Sequence, residues 1–174
     1  MIRICLSGKL GSGKNLFLEL AQKNYPHLEF TEDKFAFPIY EIQDLIQQYI
    51  GIKREKDGKL LQFIGNHFRD KDPDIWVNWF KQYTNHDNHI ITDCRFPNEL
   101  KACKELGYIT VRINRQIGLR ANNLGNRDFN HISETALDST SSTEFDFIIN
   151  NNGSLEMFEE AVKQVVQAAL ERQK

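Results

Sequence analysis

Gly8-Lys9-Leu10-Gly11-Ser12-Gly13-Lys14 places its glycines and its second lysine in the spacing G-x-x-x-x-G-K. Glycine lets the backbone N–H groups of such a loop turn inward, where together they cradle phosphate oxygens. A lysine at the end of the loop reaches the β- and γ-phosphates of a nucleotide and neutralises charge as a phosphoryl group moves. The chemistry this predicts is phosphate binding and phosphoryl transfer with ATP as donor. The expected ATP contacts are Gly8, Gly11, Ser12, Gly13, Lys14 and Asn15, and Lys14 is catalytic. One position departs from the pattern. After the lysine a Ser or Thr hydroxyl normally binds Mg²⁺, and here the residue is Asn15, followed by Leu16. The Asn15 amide oxygen is a weaker hard-oxygen ligand, or else a helix cap. The metal would then depend more on phosphates, water and an acidic residue.

That acid is Asp93. Residues 88–93 form an apolar run ending in a carboxylate, and in open α/β sheets the carboxyl ends of strands face the ligand. Asp93 is expected to orient Mg²⁺ together with Asn15, or else to be an exposed strand-end acid. Two residues on, Arg95 offers phosphate a planar fork of donors, with a salt bridge to Glu99 as the alternative. Further arginines, Arg112, Arg115, Arg120 and Arg127, lie in or beside residues 114–130. This stretch is rich in Asn, Gly and Arg and reads as a mobile lid closing over phosphates, or else as a solvated polar loop with surface arginines; Arg115 is the catalytic candidate because it follows a strand end. Gln62 and Asn66 are one helical turn apart, so both amides can read the edge of a base. Trp76, Trp79, Phe63 and Phe68 either stack on that base or pack in a core. Asp33 follows a short strand at the ligand edge and either orients an acceptor phosphate or is a surface acid. His131, Ser133 and Glu134 suggest hydrogen bonding beneath the lid or a hinge. His131 and Ser133 are too close in sequence to be read as a nucleophilic triad.

The elements that must position these residues alternate between strand and helix, the rhythm of an α/β fold with a parallel sheet. Strands are expected at residues 2–6, 28–30, 90–93, 108–113 and 145–149. Helices are expected at 14–23, 38–50, 60–68, 73–83 and 97–106, plus one after Ser154 with an apolar stripe from Leu155 to Ala169. Asp57-Gly58 reads as a turn, Asp72 as a helix cap and Pro73 as a first helical residue. At 174 residues the chain is long enough for one domain with a full core. The net charge of -2 argues against a nucleic-acid coat. No apolar run approaches the roughly 20 residues that span a bilayer. Cys5, Cys94 and Cys103 have no metal-ligand spacing and read as buried thiols of a reducing cytoplasm.

Several segments together resemble the bacteriophage deoxynucleoside monophosphate kinases. ITDCRFPNE at 91–99 is similar to that family's strand-D-x-R-F-x-N-E signature, and LLQFIG at 60–65 to its L-L-Q-x-x-G segment. RDKDPDIWVNW at 69–79 resembles R-x-x-D-P-x-x-W-V, and HISETALD at 131–138 resembles H-x-S-E-x-x-L-D. KFAFPIYE at 34–41 is a looser match to F-A-D-P-L-K, with Phe37 where the family has its acid. Asn15-Leu16 replaces the family's Asp-Thr, and Lys59 alone stands for the basic residue before L-L-Q. The resemblance implies an adenylate-kinase-like P-loop core with a lid, Mg²⁺-ATP as donor and a deoxynucleoside monophosphate as acceptor. The acceptor site is expected at Asp33, Gln62, Gly65, Asn66, Arg69, Trp76 and Arg95, about a helical region at 34–86, and a homodimer is consistent with the resemblance. A P-loop kinase for another small molecule, such as a sugar or a coenzyme precursor, and a non-catalytic nucleotide-binding module are the alternatives.

Overall fold

A computed structural model describes residues 1–84, 88–120 and 131–172. Five strands, β1 (Arg3–Ser7), β2 (Thr31–Asp33), β3 (His89–Cys94), β4 (Ile109–Asn114) and β5 (Phe147–Asn150), form one sheet in the order β2-β3-β1-β4-β5. Every pairing is parallel. All the carboxyl ends therefore share one edge, with β1 and its glycine loop at the centre. The helices are α1 (Lys14–Asn24), α2 (Phe37–Tyr49), α3 (Gly58–Arg69), α4 (Ile75–Tyr83), α5 (Pro97–Glu105), α6 (Ile132–Thr135) and α7 (Leu155–Glu171).

The two-residue period of the strands sorts their side chains onto two faces. Ile4 and Leu6 of β1, Ile90 of β3 and Val111 of β4 pack against Phe17 and Ala21 of α1 and Val162 and Val166 of α7. Cys5 and Ile91 point the other way, toward Leu100 and Cys103 of α5 and Val77 and Phe80 of α4. Both faces being covered is why these strands read as continuous apolar runs. All three cysteines are free and buried in this second core. Burial pushes the Cys5 and Cys103 thiols up, which keeps them protonated and inert. A third, smaller core of Ile39, Ile64 and Trp76 joins α2, α3 and α4.

Several boundaries differ from the sequence expectation. The second strand lies at Thr31–Asp33, since Pro26–Leu28 forms a 3-10 turn and Glu29 takes a left-handed φ of 47° before the chain enters the sheet. As an edge strand it needs little apolar character, so periodicity misses it. Asp57 is the N-cap of α3 rather than part of a free turn; its carboxylate accepts from the N–H groups of Lys59 and Leu60. Asp72 accepts from Asp74 N–H, so the fourth helix starts after Asp74 and leaves Pro73 in the preceding turn. α6 is a single turn in a polar stretch where no helix was expected. Of the expected lid, Ile117–Leu119 is a 3-10 turn, while Arg127 lies outside the described residues.

Candidate active site

The glycine loop is built by close approach. Gly8 has φ 152°, and a Cβ there would fall 2.5 Å from the Ile113 carbonyl oxygen. Gly13 has φ 113°, and a Cβ would fall 2.5 Å from Nδ2 of Asn151. Asn151 stands at the carboxyl end of β5 and donates to the Ser12 carbonyl oxygen at 2.9 Å, fixing the loop from beneath. Helix α1 begins at Lys14 with no side-chain cap and no acidic residue in its first turn. Its first N–H groups and the positive end of its dipole are thereby left to an anion.

Lys14 is almost fully buried, and its Nζ donates to the Gly8 carbonyl at 2.6 Å and the Lys9 carbonyl at 3.1 Å. Burial, and then the nearby Arg95 guanidinium, lower its pKa to about 7, against support from Glu134 and Asp93. Incoming phosphate oxygens would restore its charge. Asn15 lines the cavity beside it and caps nothing.

β3 delivers Asp93 and Arg95 to the same edge. Asp93 Oδ1 accepts from Phe35 N–H at 2.9 Å, and Oδ2 from Ala36 N–H at 3.0 Å. Its carboxylate thus ties down the turn that leads into α2. Burial raises its pKa, and the two backbone bonds oppose the rise. Arg95 donates through Nη1 to the Ser133 carbonyl and to the Glu134 carboxylate. Glu99 accepts instead from the backbone N–H groups of Arg95 and Phe96 at 2.7 and 3.0 Å, and from Arg69 Nη2 at 3.3 Å. The Arg69 guanidinium also lies 4.0 Å over the Phe96 ring. Glu99 is buried, and desolvation together with the Asp93 charge pushes it up to about 7 despite Arg69.

A cavity of about 430 Å³ unites these groups. Gly11, Gly13, Lys14 and Asn15 line it from the phosphate loop, Asp93 and Arg95 from β3, and Gln62, Gly65, Asn66 and Arg69 from α3. The Asn66 amide contacts His131 Nε2 at 2.8 Å, joining α3 to α6.

Other expected site residues lie elsewhere. Gly8 borders a narrow crevice next to Arg112 and Glu134, and Ser12 is buried beneath the loop with its hydroxyl unpaired. Asp33 does not line the cavity; it accepts from the Thr84 hydroxyl at 2.6 Å and from Lys34 N–H, holding β2 to the end of α4. Trp76 also lies outside the lining, buried behind α3 with its indole N–H donating to the Gly65 carbonyl. Trp79 and Phe68 pack against cores, and Phe63 faces solvent because the amide face of α3 takes the cavity side. The aromatic walls are Phe35, Tyr40 and Phe96. Arg115 lies outside the cavity lining, and its buried Nε has no hydrogen-bond partner. Arg112 is held by the Ser7 hydroxyl and by Asp138.

Sequence reasoning passed over Lys34, Lys56 and Asn151. Lys34 and Lys56 line the cavity. Gln43 and Gln47, both buried, hold the loop before α3 through bonds to the backbone of Glu55 and Asp57. They thereby flank Lys56. A glutamine pair one turn apart on an otherwise apolar helix face was the available signal. For Asn151 the signal was its place directly after an apolar strand.

A family model described as deoxynucleotide monophosphate kinase matches residues 59–162. A protein of Acanthamoeba polyphaga mimivirus that carries the same description is 27% identical, over 91% of this chain and 92% of that one. Among solved structures, shikimate kinase from Bacteroides thetaiotaomicron aligns with a TM-score of 0.54 at 17% identity, over 98% of each chain. At that identity the likeness concerns the fold, which is that of the P-loop kinases, adenylate-kinase-like in its five-stranded parallel sheet and flanking helices.

Proposed function

The chain belongs to the deoxynucleotide monophosphate kinase family, and from that premise we propose that it transfers the γ-phosphate of ATP to a deoxynucleoside monophosphate, giving two diphosphates. The observation that carries this reading is that one cavity is lined both by the phosphate loop and by the Gln62–Asn66 amide face, with Arg69 and Arg95 in its wall. A donor that is all phosphate at its reacting end and an acceptor with a base to be read would fill such a space.

The acceptor's phosphate oxygen attacks the γ-phosphorus, and the bond to the β–γ bridging oxygen breaks as ADP leaves. The nucleophile is already anionic, so no general base is needed. The barrier is the approach of two anions, and catalysis is positioning plus positive charge. Lys14 supplies that charge at the donor. Arg95 clamps the acceptor phosphate or the group in transit. Gln62 and Asn66 hold the base, and the walls exclude water.

Magnesium fits as an ion carried by the nucleotide. Mg²⁺ keeps several waters and binds mainly through phosphates. Among the described residues no group of three or more His, Cys, Asp or Glu side chains could cage a metal. Asn15 is exposed at the cavity, and each Asp93 oxygen, with one N–H bound, retains a lone pair for a metal-bound water. The ion would neutralise phosphate charge when bound.

One unit is proposed for residues 1–174, with the acceptor region at 34–86 and a lid at 114–130, of which 121–130 lie outside the described residues. Family likeness also supports a homodimer, which sedimentation would test, and a cytoplasmic setting. No helix among the described residues is long and apolar enough to cross a membrane.

Steady-state kinetics of Gln62→Ala, with each substrate varied separately, test the acceptor assignment. The acceptor's KM should rise, or its kcat/KM fall, far more than for ATP. Equal losses for both substrates would place Gln62 outside the acceptor site.

A further inference from the structure

A carboxylate amid phosphate-binding groups repels the substrate, so its presence there calls for a compensating role. Glu134 is such a group. One of its oxygens accepts from Arg95 Nη1, and the other from the Leu10 N–H of the phosphate loop at 2.9 Å. Its side chain is only 8% exposed. It stands on α6, a one-turn helix anchored on several sides. His131 reaches Asn66 of α3, and Asp138, just beyond the helix, pairs with Lys9 at 2.7 Å and Arg112 at 3.6 Å.

We propose that Glu134 is a positioning residue whose single carboxylate holds the Arg95 guanidinium and the phosphate loop in the mutual arrangement that phosphoryl transfer needs. The proposal rests on the phosphotransferase reading above. Its physical basis is the repulsion between two cations kept together before any phosphate arrives. Lys14 is faced by Asp93 and Arg95 from β3, Arg112 from β4 and Glu134 from α6. The Glu134 carboxylate offsets that repulsion while bonding both Arg95 and the phosphate loop. With Glu134 neutral, Arg95 would lose its charged partner and the loop would be less firmly tied at Leu10. Entering phosphates would then meet a misplaced arginine and a displaced loop.

The test measures ATP affinity by calorimetry, and kcat and KM for ATP at saturating monophosphate. Wild type, Glu134→Gln and Glu134→Asp are compared. Glu134→Gln is expected to lower kcat/KM on the order of 10- to 100-fold, the scale of a misplacement near 1 Å. Most of that loss should fall on kcat, because Arg95 serves the group in transit, and ATP affinity should fall as well, because the loop loses its charged partner at Leu10. Glu134→Asp keeps the charge but is too short to span both partners, so it should lose rate too. Wild-type rate in Glu134→Gln, or a loss confined to KM, would overturn the proposal. Should Glu134→Gln not fold, Glu134→Asp decides, and wild-type rate there would overturn it. A wild type that binds ATP yet phosphorylates no monophosphate refutes the functional reading alone. ATP affinity then still decides the role of Glu134, and unchanged affinity in Glu134→Gln would overturn it.

Discussion

Lys14 has opposing effects on folding and on binding. Its ammonium is buried against two carbonyls and beside another cation, and its pKa falls from the ordinary 10.5 to about 7. Between those values the unfolded chain holds a proton that the folded chain does not. Stability of the ligand-free protein should therefore rise with pH across that window, by up to about 1.4 kcal/mol per unit. Below about pH 7 both states are protonated and the penalty is fully present. Urea denaturation at a series of pH values should show this slope in wild type and a flatter one in Lys14→Met. In activity the sign reverses. Lys14→Ala should fold and lose about 3 kcal/mol or more of transition-state stabilisation, read as kcat/KM. Asp93→Asn should lower both thermal stability and acceptor kcat/KM. Its NH₂ cannot accept from Phe35 or Ala36, and an orphaned buried N–H costs about 1–3 kcal/mol; unchanged melting would refute the tether. That Lys14, Asn15, Asp93, Arg95, Gln62 and Asn66 lie around one cavity was legible, because spacing brings them to one sheet edge or one helix face. Asp33 and Trp76 were not, because spacing places a Cα and leaves the side chain's direction to its packing partners. Asp33 turns to Thr84, and Trp76 turns behind α3 to the Gly65 carbonyl.

Elements hold the site where the sequence looks least specialised. The phosphate loop depends on the turn after β5, since Asn151 fills the space that a side chain at Gly13 would need. Gly13→Ala, strained at φ 113° as well, should abolish ATP binding in calorimetry while the sheet core survives. The loop before α3 depends on Gln43 and Gln47. Gln43→Leu removes bonds to Glu55 and Asp57 that flank Lys56. It should raise the acceptor's KM and leave that of ATP nearly unchanged; equal changes in both would show that Lys56 does not serve the acceptor. The buried central strands and the long amphipathic helices were readable from period alone. The edge strand β2 and the one-turn α6 were not, because short elements with partly exposed residues owe their form to neighbours. The three-residue β2 follows β3, and α6 is fixed by side-chain bonds to the phosphate loop, Arg95 and α3.

The whole molecule sets a sheet-centred half that carries the phosphate loop against a helical arm, α2 to α4, that has a small core of its own. Asp93 to the Phe35–Ala36 turn, Glu99 to Arg69 and His131 to Asn66 connect the two around the cavity. Each tie pairs a residue beside the sheet edge with one that frames the helical side of the cavity, which suits the proposed reaction between two bound phosphates. The most direct test is coupled ADP release from ATP with each common deoxynucleoside and nucleoside monophosphate, and with a free nucleoside, a sugar and shikimate as comparators. ADP release that requires a monophosphate, favours the deoxy form and is lost in folded Lys14→Ala is the expected result. Robust phosphorylation of a comparator with none of any monophosphate, or ATP binding without turnover on any acceptor, would contradict it.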